Sequence, residues 1–371
     1  MQNTEARTAR QNNCVAANRL YIRADGSIPC GCDVGEHVTL YRPDVKGPEP
    51  VRYIDDCYNG KPFLDMRRSF QAGKPYLKEC KDCFFYQPGV AFEHNGQDGV
   101  QKSIEILQIE SSFLCPIDCP ACFIKADRTN PEKSPLGSGP VHLPVANFMK
   151  LVDDCVANGI EVKDFFFCGR GEPLLNPHMA EILAYARKHY PRSIFSVHTS
   201  GNVKFRPEHL MFDRVTVSID GATQETYEQY RREGKIERAK TFIAQMAKAK
   251  KALSNQLGAR NLRRFASLKP RITSYPVVCW KYVLFEHNDS EQEILKAQKS
   301  ARELGADQME FVLSHTWNRS KRYPTSQDVE RDPIFRSFVG RFGKVFGRHV
   351  HIESTVNVDV DNIGQWAEAG A

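Results

Sequence analysis

Cys115, Cys119 and Cys122 are the residues in this chain best suited to chemistry. They stand in the run SSFLCPIDCPACFIK, a Cys-x-x-x-Cys-x-x-Cys spacing with Pro116 and Pro120 stiffening the turns. Three thiolates this close can chelate one metal centre but do not supply a full tetrahedral set. An iron–sulfur cluster of the 4Fe–4S type is ordinarily held by four cysteines. Held by three, it leaves one iron without a protein ligand, and an open coordination position marks chemistry rather than scaffolding. The competing reading of the triplet is a zinc loop.

Three further polar motifs follow apolar runs. Val162–Phe167 leads into Cys168-Gly169-Arg170-Gly171-Glu172-Pro173. There Gly169 and Gly171 let the backbone approach a ligand closely, and Glu172 can accept from an ammonium group. Ile194–Val197 leads into His198-Thr199-Ser200-Gly201-Asn202, and Val215–Ile219 carries Ser218, Asp220 and Gly221 at its end. Ser218 and Asp220 serve equally well as caps for a helix from Thr223 onward.

A second cysteine group precedes the triplet. Leu20–Arg23 reads as a short strand, Asp25-Gly26 as a hairpin turn and Ile28–Cys32 as the return strand. That return carries Cys30 and Cys32, and its fold-back lets it meet Cys14. A helix over Phe63–Phe70 then precedes Cys80-Lys81-Asp82-Cys83. These residues make four ligands for a closed site, with either Cys30 or Cys32 as the second. A Cys₄ zinc knuckle is the alternative, because sulfur ligands alone do not separate zinc from iron–sulfur. Cys57 and Cys155 read as structural, the latter on the apolar face of a helix over Val145–Asn158.

The elements that must position these residues alternate. Apolar strand segments at Ile104–Ile109, Val162–Phe167, Ile194–Val197, Val215–Ile219, Val277–Phe285 and Gln308–Leu313 are separated by helical patterns. One of these is a long helix over Ile236–Leu253. Six such alternations imply an α/β fold with a parallel sheet and crossover helices. The polar motifs all fall at the carboxyl ends of strands, where such folds bind ligands.

The triplet, the Gly-rich turn and the later strand ends resemble the radical SAM superfamily. The resemblance implies a partial (β/α)6 TIM-like barrel with the triplet in the loop after its first strand. It implies a 4Fe–4S cluster whose free iron binds the amino and carboxylate groups of S-adenosylmethionine. An electron from the cluster would split the sulfonium and release a 5′-deoxyadenosyl radical. The resemblance carries the adenine contact to Phe123 and the methionyl amino group to Gly169, Gly171 and Glu172. It matches Thr199 to the third strand end and puts the ribose hydroxyls near Ser218 and Asp220. Residues 14–86 resemble the Twitch or SPASM auxiliary-cluster module, with Cys14, Cys30 or Cys32, Cys80 and Cys83 holding a second 4Fe–4S cluster. In relatives that module usually follows the barrel; here a small Cys-rich β-hairpin and helix module precedes it.

The expected organisation is a tail over 1–13, the auxiliary module over 14–86, a linker over 87–102, the core barrel over 103–315 and a C-terminal extension over 316–371. At 371 residues the chain has the mass for two domains. Its 41% hydrophobic and 26% charged content is that of a globular protein. No apolar run reaches membrane-spanning length, and the polar N-terminus lacks the core of a secretory signal. Twelve cysteines without an export signal suit metal binding in a reducing cytoplasm better than disulfides. The formal charge of +6 is uneven: Arg231–Arg271 holds thirteen Lys or Arg against two acids, which reads as a solvated basic face. A pI of 8.6 lies below the value of about 9 that marks a nucleic-acid domain.

The expected function is therefore a cytoplasmic radical SAM oxidoreductase that takes hydrogen from a small or sugar-like metabolite, with oxidation or epimerisation as the outcome. An electron donor such as flavodoxin or ferredoxin is the expected partner, and nucleic acid and membrane are not. Cys168 and Cys279 are candidate thiol hydrogen donors. A peptide- or RNA-modifying radical enzyme is the alternative within the class. A zinc-stabilised, non-catalytic binding protein is the alternative outside it.

Overall fold

The structure is a computed structural model. It describes residues 12–31, 38–44, 51–83, 86–90, 98–122, 141–266, 276–314, 318–336 and 351–355, with the backbone alone at 12, 82, 253–266, 336 and 351–355. Cys32, Phe123, His315, Trp317 and the phenylalanines at 338, 342 and 346 lie outside the described residues.

The chain divides into two compact units. One comprises Met1–Ser111, Pro135–Gly169 and Glu181–Ser193; the other comprises Ser112–Ser134, Arg170–Ala180 and Ile194–Ala371. In the first unit, β1 (Asn12–Cys14) pairs antiparallel with β5 (Tyr86–Pro88), and β2 (Arg19–Ile22) runs parallel to β6 (Ser103–Ile109). Strand β7 (Glu161–Phe167) lies parallel on the other side of β6. Strand β6 buries Ile104, Leu107 and Ile109 together with the polar Ser103 and Gln108, and β7 buries Val162, Phe165 and Phe167.

The expected hairpin is only half right. Its turn is present: the Arg23 N–H donates to the Ser27 carbonyl at 2.9 Å, and Gly26 takes a φ of 83°. The two arms part company, however. Leu20, Tyr21 and Ile22 pair with Leu107, Gln108 and Ile109, whereas β3 (Ile28–Pro29) pairs with β4 (Thr39–Tyr41). The apolar side chains of Leu20 and Ile22 are fully buried in this arrangement, which a two-stranded ribbon does not achieve.

Helix α1 (Lys61–Gln71) follows Gly60, whose close approach to the Asp55 and Asp56 backbone leaves no room for a side chain. Its buried face carries Phe63, Met66, Arg67 and Phe70. The Arg67 guanidinium is enclosed. It donates to the carbonyls of Ala17 (3.1 Å), Tyr58 (2.6 Å) and Gly99 (3.0 Å), and stands 4.5 Å from the Tyr58 ring centroid. One side chain thereby ties three segments of this unit to α1. Helices α2 (Val145–Ala157) and α3 (Met179–His189) flank β7 in sequence, and Cys155 is buried on α2 as expected.

The second unit holds four parallel strands, β8 (Ile194–Thr199), β9 (Arg214–Ser218), β10 (Val277–Leu284) and β11 (Gln308–Leu313). Between them lie α4 (Gln224–Glu228), α5 (Ile236–Ala266) and α6 (Glu291–Glu303). Helix α5 runs well past the expected end at Leu253. Beyond β11 come α7 (Ser326–Arg331) and α8 (Pro333–Arg336), then β12 (His351–Thr355), which pairs antiparallel with β11. Phe335 packs edge-on against Phe311 and Tyr323, which fastens this extension to β11. The architecture is α/β with seven parallel strands among the described residues, one more than the six expected, and it fits a partial TIM-like barrel. The additional strand is β2. No helix among the described residues is long and apolar enough to cross a membrane.

Candidate metal and cofactor site

The loop that leaves β6 carries the triplet. Cys119 is buried; Cys115 and Cys122 are partly exposed. The Cys122 N–H donates to the Cys119 carbonyl at 3.1 Å, which closes the second half of the loop into a turn. The Asp118 N–H donates to the Arg232 carbonyl at 2.9 Å, pinning the loop to the segment after α4.

The Gly-rich turn after β7 is shaped by close approach. A methyl group on Gly169 would stand 2.7 Å from the Glu110 Cβ, and one on Gly171 would collide with the Ser112 carbonyl and lie 2.6 Å from the Phe113 carbonyl carbon. The Glu172 N–H donates to the Leu114 carbonyl at 2.7 Å, and the Arg170 guanidinium lies 4.9 Å from the Phe113 ring centroid. The Cys122 thiol stands 3.9 Å from the Arg170 carbonyl. These glycines therefore let the turn press against the entry of the cysteine loop.

Glu172 and Thr199 come together, and so does Ser200. The buried Glu172 carboxylate accepts from Thr199 Oγ1 at 2.7 Å, from the Ser200 N–H at 2.7 Å, from Ser200 Oγ at 2.7 Å and from the Leu174 N–H at 3.3 Å. A carboxylate has about four acceptor positions, and here each meets a protein donor. Burial pushes its pKa above the usual carboxylate range, against the pull of the Ser200 and Thr199 hydrogen bonds. The arrangement makes Glu172 a clasp between the turn after β7 and the turn after β8.

Asp220 follows β9 and is fully buried. Its Oδ1 accepts from the Val283 N–H at 2.7 Å and its Oδ2 from Arg231 Nε at 2.6 Å. The cap of α4 is instead Thr223, whose Oγ1 accepts from the Thr226 N–H at 3.2 Å, so the capping reading of Ser218 and Asp220 is set aside. Ser218 is buried at the end of β9 and pairs in register with Lys281.

Arg231 is the residue that sequence reasoning missed. Composition groups it with a solvated basic run, yet its side chain is largely buried and its Nη1 points at Cys119 Sγ, 3.7 Å away. Burial works against its charge, but Asp220 and Cys119 outweigh burial and hold its pKa well above the ordinary arginine range. The Cys119 thiol is pushed up by burial, with Arg231 opposing. The signal available in the sequence was the pair Tyr227 and Tyr230, aromatic walls one helical turn and one residue before the arginine; Tyr227 is buried and Tyr230 partly so.

Cys14, Cys30, Cys80 and Cys83, four of the cysteines of the first unit, also lie near one another. Burial raises the pKa of Cys14, and neighbouring Cys30, Cys83 and Cys80 add to the rise; Cys30 is pushed up to about 12 by burial with help from Cys80 and Cys83. Pairing of β1 with β5 brings Cys14 opposite Tyr86, three residues beyond Cys83. Among the described residues no three His, Cys, Asp or Glu side chains are drawn together as tightly as a single ion demands. An iron–sulfur cube is wider than one ion, and its ligands stand further apart. Cys279 sits in the amino-terminal half of β10 opposite Gln308, the first residue of β11, which removes it from the carboxyl ends where the motifs lie. Cys168, by contrast, directly follows β7.

Comparison with known proteins bears on this site. Residues 109–257 match the family model described as the radical SAM superfamily, a stretch that begins at the last residue of β6 and ends within α5. That segment, rather than the whole chain, is what is similar to the radical SAM superfamily. No curated protein matches the chain. Among solved structures, "Structure of TYW1 with a lysine-pyruvate adduct bound" is similar at 12% identity, covering 67% of this chain and 80% of that one with a TM-score of 0.42. "Crystal structure of archaeal TYW1" is similar at 12% identity, covering 57% and 67% with a TM-score of 0.34.

Proposed function

We propose that the chain is a radical SAM enzyme that holds a 4Fe–4S cluster on Cys115, Cys119 and Cys122 and takes hydrogen from a small or sugar-like metabolite, with oxidation or epimerisation as the net result. When bound, the cluster and S-adenosylmethionine would supply a 5′-deoxyadenosyl radical. The observation that carries the reading is the charge arrangement at the triplet: a buried cysteine faces a largely buried guanidinium, so a thiolate ligand there is compensated rather than stranded.

The chain's own groups do the remaining work. Gly169 and Gly171 bring the turn after β7 against the cysteine loop, and Glu172 locks it to Thr199 and Ser200. These contacts hold the site without free play. A carbon radical attacks almost any C–H bond, so such a site must select its target by position and keep stray donors out. Cys168 stays the candidate thiol donor. Cys14, Cys30, Cys80 and Cys83 are proposed to hold a second cluster that relays an electron; the rise that the neighbouring cysteines add to the pKa of Cys14 and of Cys30 supports it. We place the enzyme in the cytoplasm, with a flavodoxin or ferredoxin as donor.

The test is iron, acid-labile sulfide and zinc per chain on anaerobically reconstituted protein, followed by 5′-deoxyadenosine release on reduction with S-adenosylmethionine. About eight irons are expected from two 4Fe–4S clusters. Cys115→Ala should lose the share of iron at the triplet and abolish release. Zinc in place of iron at the triplet would overturn the reading. Zinc at the first-unit cysteines alone would remove only the relay.

A further inference from the structure

We infer that Arg231 sets the reduction potential of the cluster at the triplet, acting as a fixed cation on its Cys119 ligand; this rests on the triplet holding that cluster. Arg231 Nη1 lies 3.7 Å from Cys119 Sγ, within reach of an N–H···S hydrogen bond. Hydrogen bonds to ligating sulfur, net charge and burial are the levers a protein has on cluster potential. All three meet at this contact.

The orientation of the guanidinium is imposed from several sides. Asp220 engages only Nε, because its other oxygen is taken by the Val283 N–H. A bidentate Arg–carboxylate pair would have spent the fork on the carboxylate; here the fork is left for the sulfur. The backbone is equally fixed. The Arg231 N–H donates to the Tyr227 carbonyl at 2.9 Å, and the Gly234 N–H donates to the Arg231 carbonyl at 2.9 Å. A side chain on Gly234 would meet that carbonyl and the Tyr227 ring at 2.8 Å. Tyr227 is itself held by Asn202 Nδ2 at 2.8 Å, and Tyr230 stacks on Phe285 with ring centroids 4.2 Å apart.

Electrostatics then sets the direction. Asp220 keeps Arg231 ionised, and the guanidinium is the member of the pair that faces the sulfur. An added electron raises the negative charge on the cluster sulfurs. A guanidinium within hydrogen-bonding reach, in surroundings of low dielectric, stabilises that reduced state more than the oxidised one. Arginine suits the task because it stays charged at any working pH and is weakly hydrated. Arg231 is thus a positioning residue for Cys119 that makes reduction of the cluster easier.

The test is an EPR-monitored redox titration of the reconstituted full-length protein, following the reduced-cluster signal that changes on adding S-adenosylmethionine. Arg231→Gln should disfavour reduction at least tenfold, which for a one-electron couple is about 59 mV to lower potential. Arg231→Lys, which keeps the charge and loses the fork, should recover part of the shift. Arg231→Gln leaves Asp220 buried and unpaired, so Asp220→Asn/Arg231→Gln is titrated alongside it as a variant with no stranded charge. It should fall in the same direction, by less than the single variant but by more than threefold, with iron content like the wild type. A potential within threefold of wild type in the double variant, with the cluster fully loaded, overturns the inference while leaving the proposed function intact. Wild-type protein with no iron at the triplet overturns both.

Discussion

The clasp at Glu172 makes a quantitative prediction. Glutamine matches glutamate in shape but replaces one carboxylate oxygen by an NH₂ group that can only donate. Placed on the Ser200 side, that group faces the Ser200 N–H. Placed on the other side, it faces the Leu174 N–H and Thr199 Oγ1, which already accepts from the Gly201 N–H at 3.0 Å. Serine and threonine hydroxyls can turn to accept, but a backbone N–H cannot, so one buried donor is stranded in either orientation. The expected destabilisation is roughly 2 kcal/mol, the cost of one unsatisfied buried donor within a range of about 1–3 kcal/mol. Its pH dependence has a definite sign. Burial raises the folded-state pKa of Glu172 above its unfolded value. Its contribution is therefore complete below the unfolded pKa of about 4.3 and falls as pH rises through the folded pKa. Urea unfolding of Glu172→Gln against wild type at pH 5 and pH 8 is the assay. The variant should unfold at lower urea at pH 5 with an unchanged slope, and the gap should narrow at pH 8. Equal midpoints at pH 5, or a gap that widens with pH, would refute the reasoning.

Two other groups give tests of the same kind. Arg67→Met keeps the apolar stem but strands the carbonyls of Ala17, Tyr58 and Gly99, and should cost about 3–5 kcal/mol in urea unfolding at roughly 1 kcal/mol or more per lost donor. His209 is buried and its pKa is lowered to about 4, with Nδ1 accepting from the Arg206 N–H at 3.2 Å. A depressed folded-state pKa contributes stability that is full above the unfolded value of about 6.5 and is lost as pH falls toward the folded value, up to about 3 kcal/mol here. His209→Gln should lack that loss, read as the difference between the two proteins' urea midpoints from pH 7 to pH 4.5.

The sequence alone determined the chemistry available and most of the frame that presents it. The spacing of Cys115, Cys119 and Cys122 is local, and local spacing survives any packing. The six strand segments from Ile104 to Leu313 were legible because a strand buried on both faces must be apolar along its length, and the positions of the polar motifs followed at their carboxyl ends. What it could not determine was partnership over distance. Leu20–Ile22 is as good a hairpin arm as a parallel strand; only burial against Ile106–Ile109 chooses between them. Glu172 reads as a free acceptor until Thr199 and Ser200 are seen to fill it. Arg231 looks like one more charge in a run of thirteen. Its neighbour in sequence, Arg232, lends only a backbone carbonyl to Asp118, while Arg231 reaches inward to Asp220 and Cys119. Composition says that a basic residue belongs in water. The tertiary structure reverses this because a buried carboxylate and a buried thiol together make the interior the lower-energy place for one guanidinium.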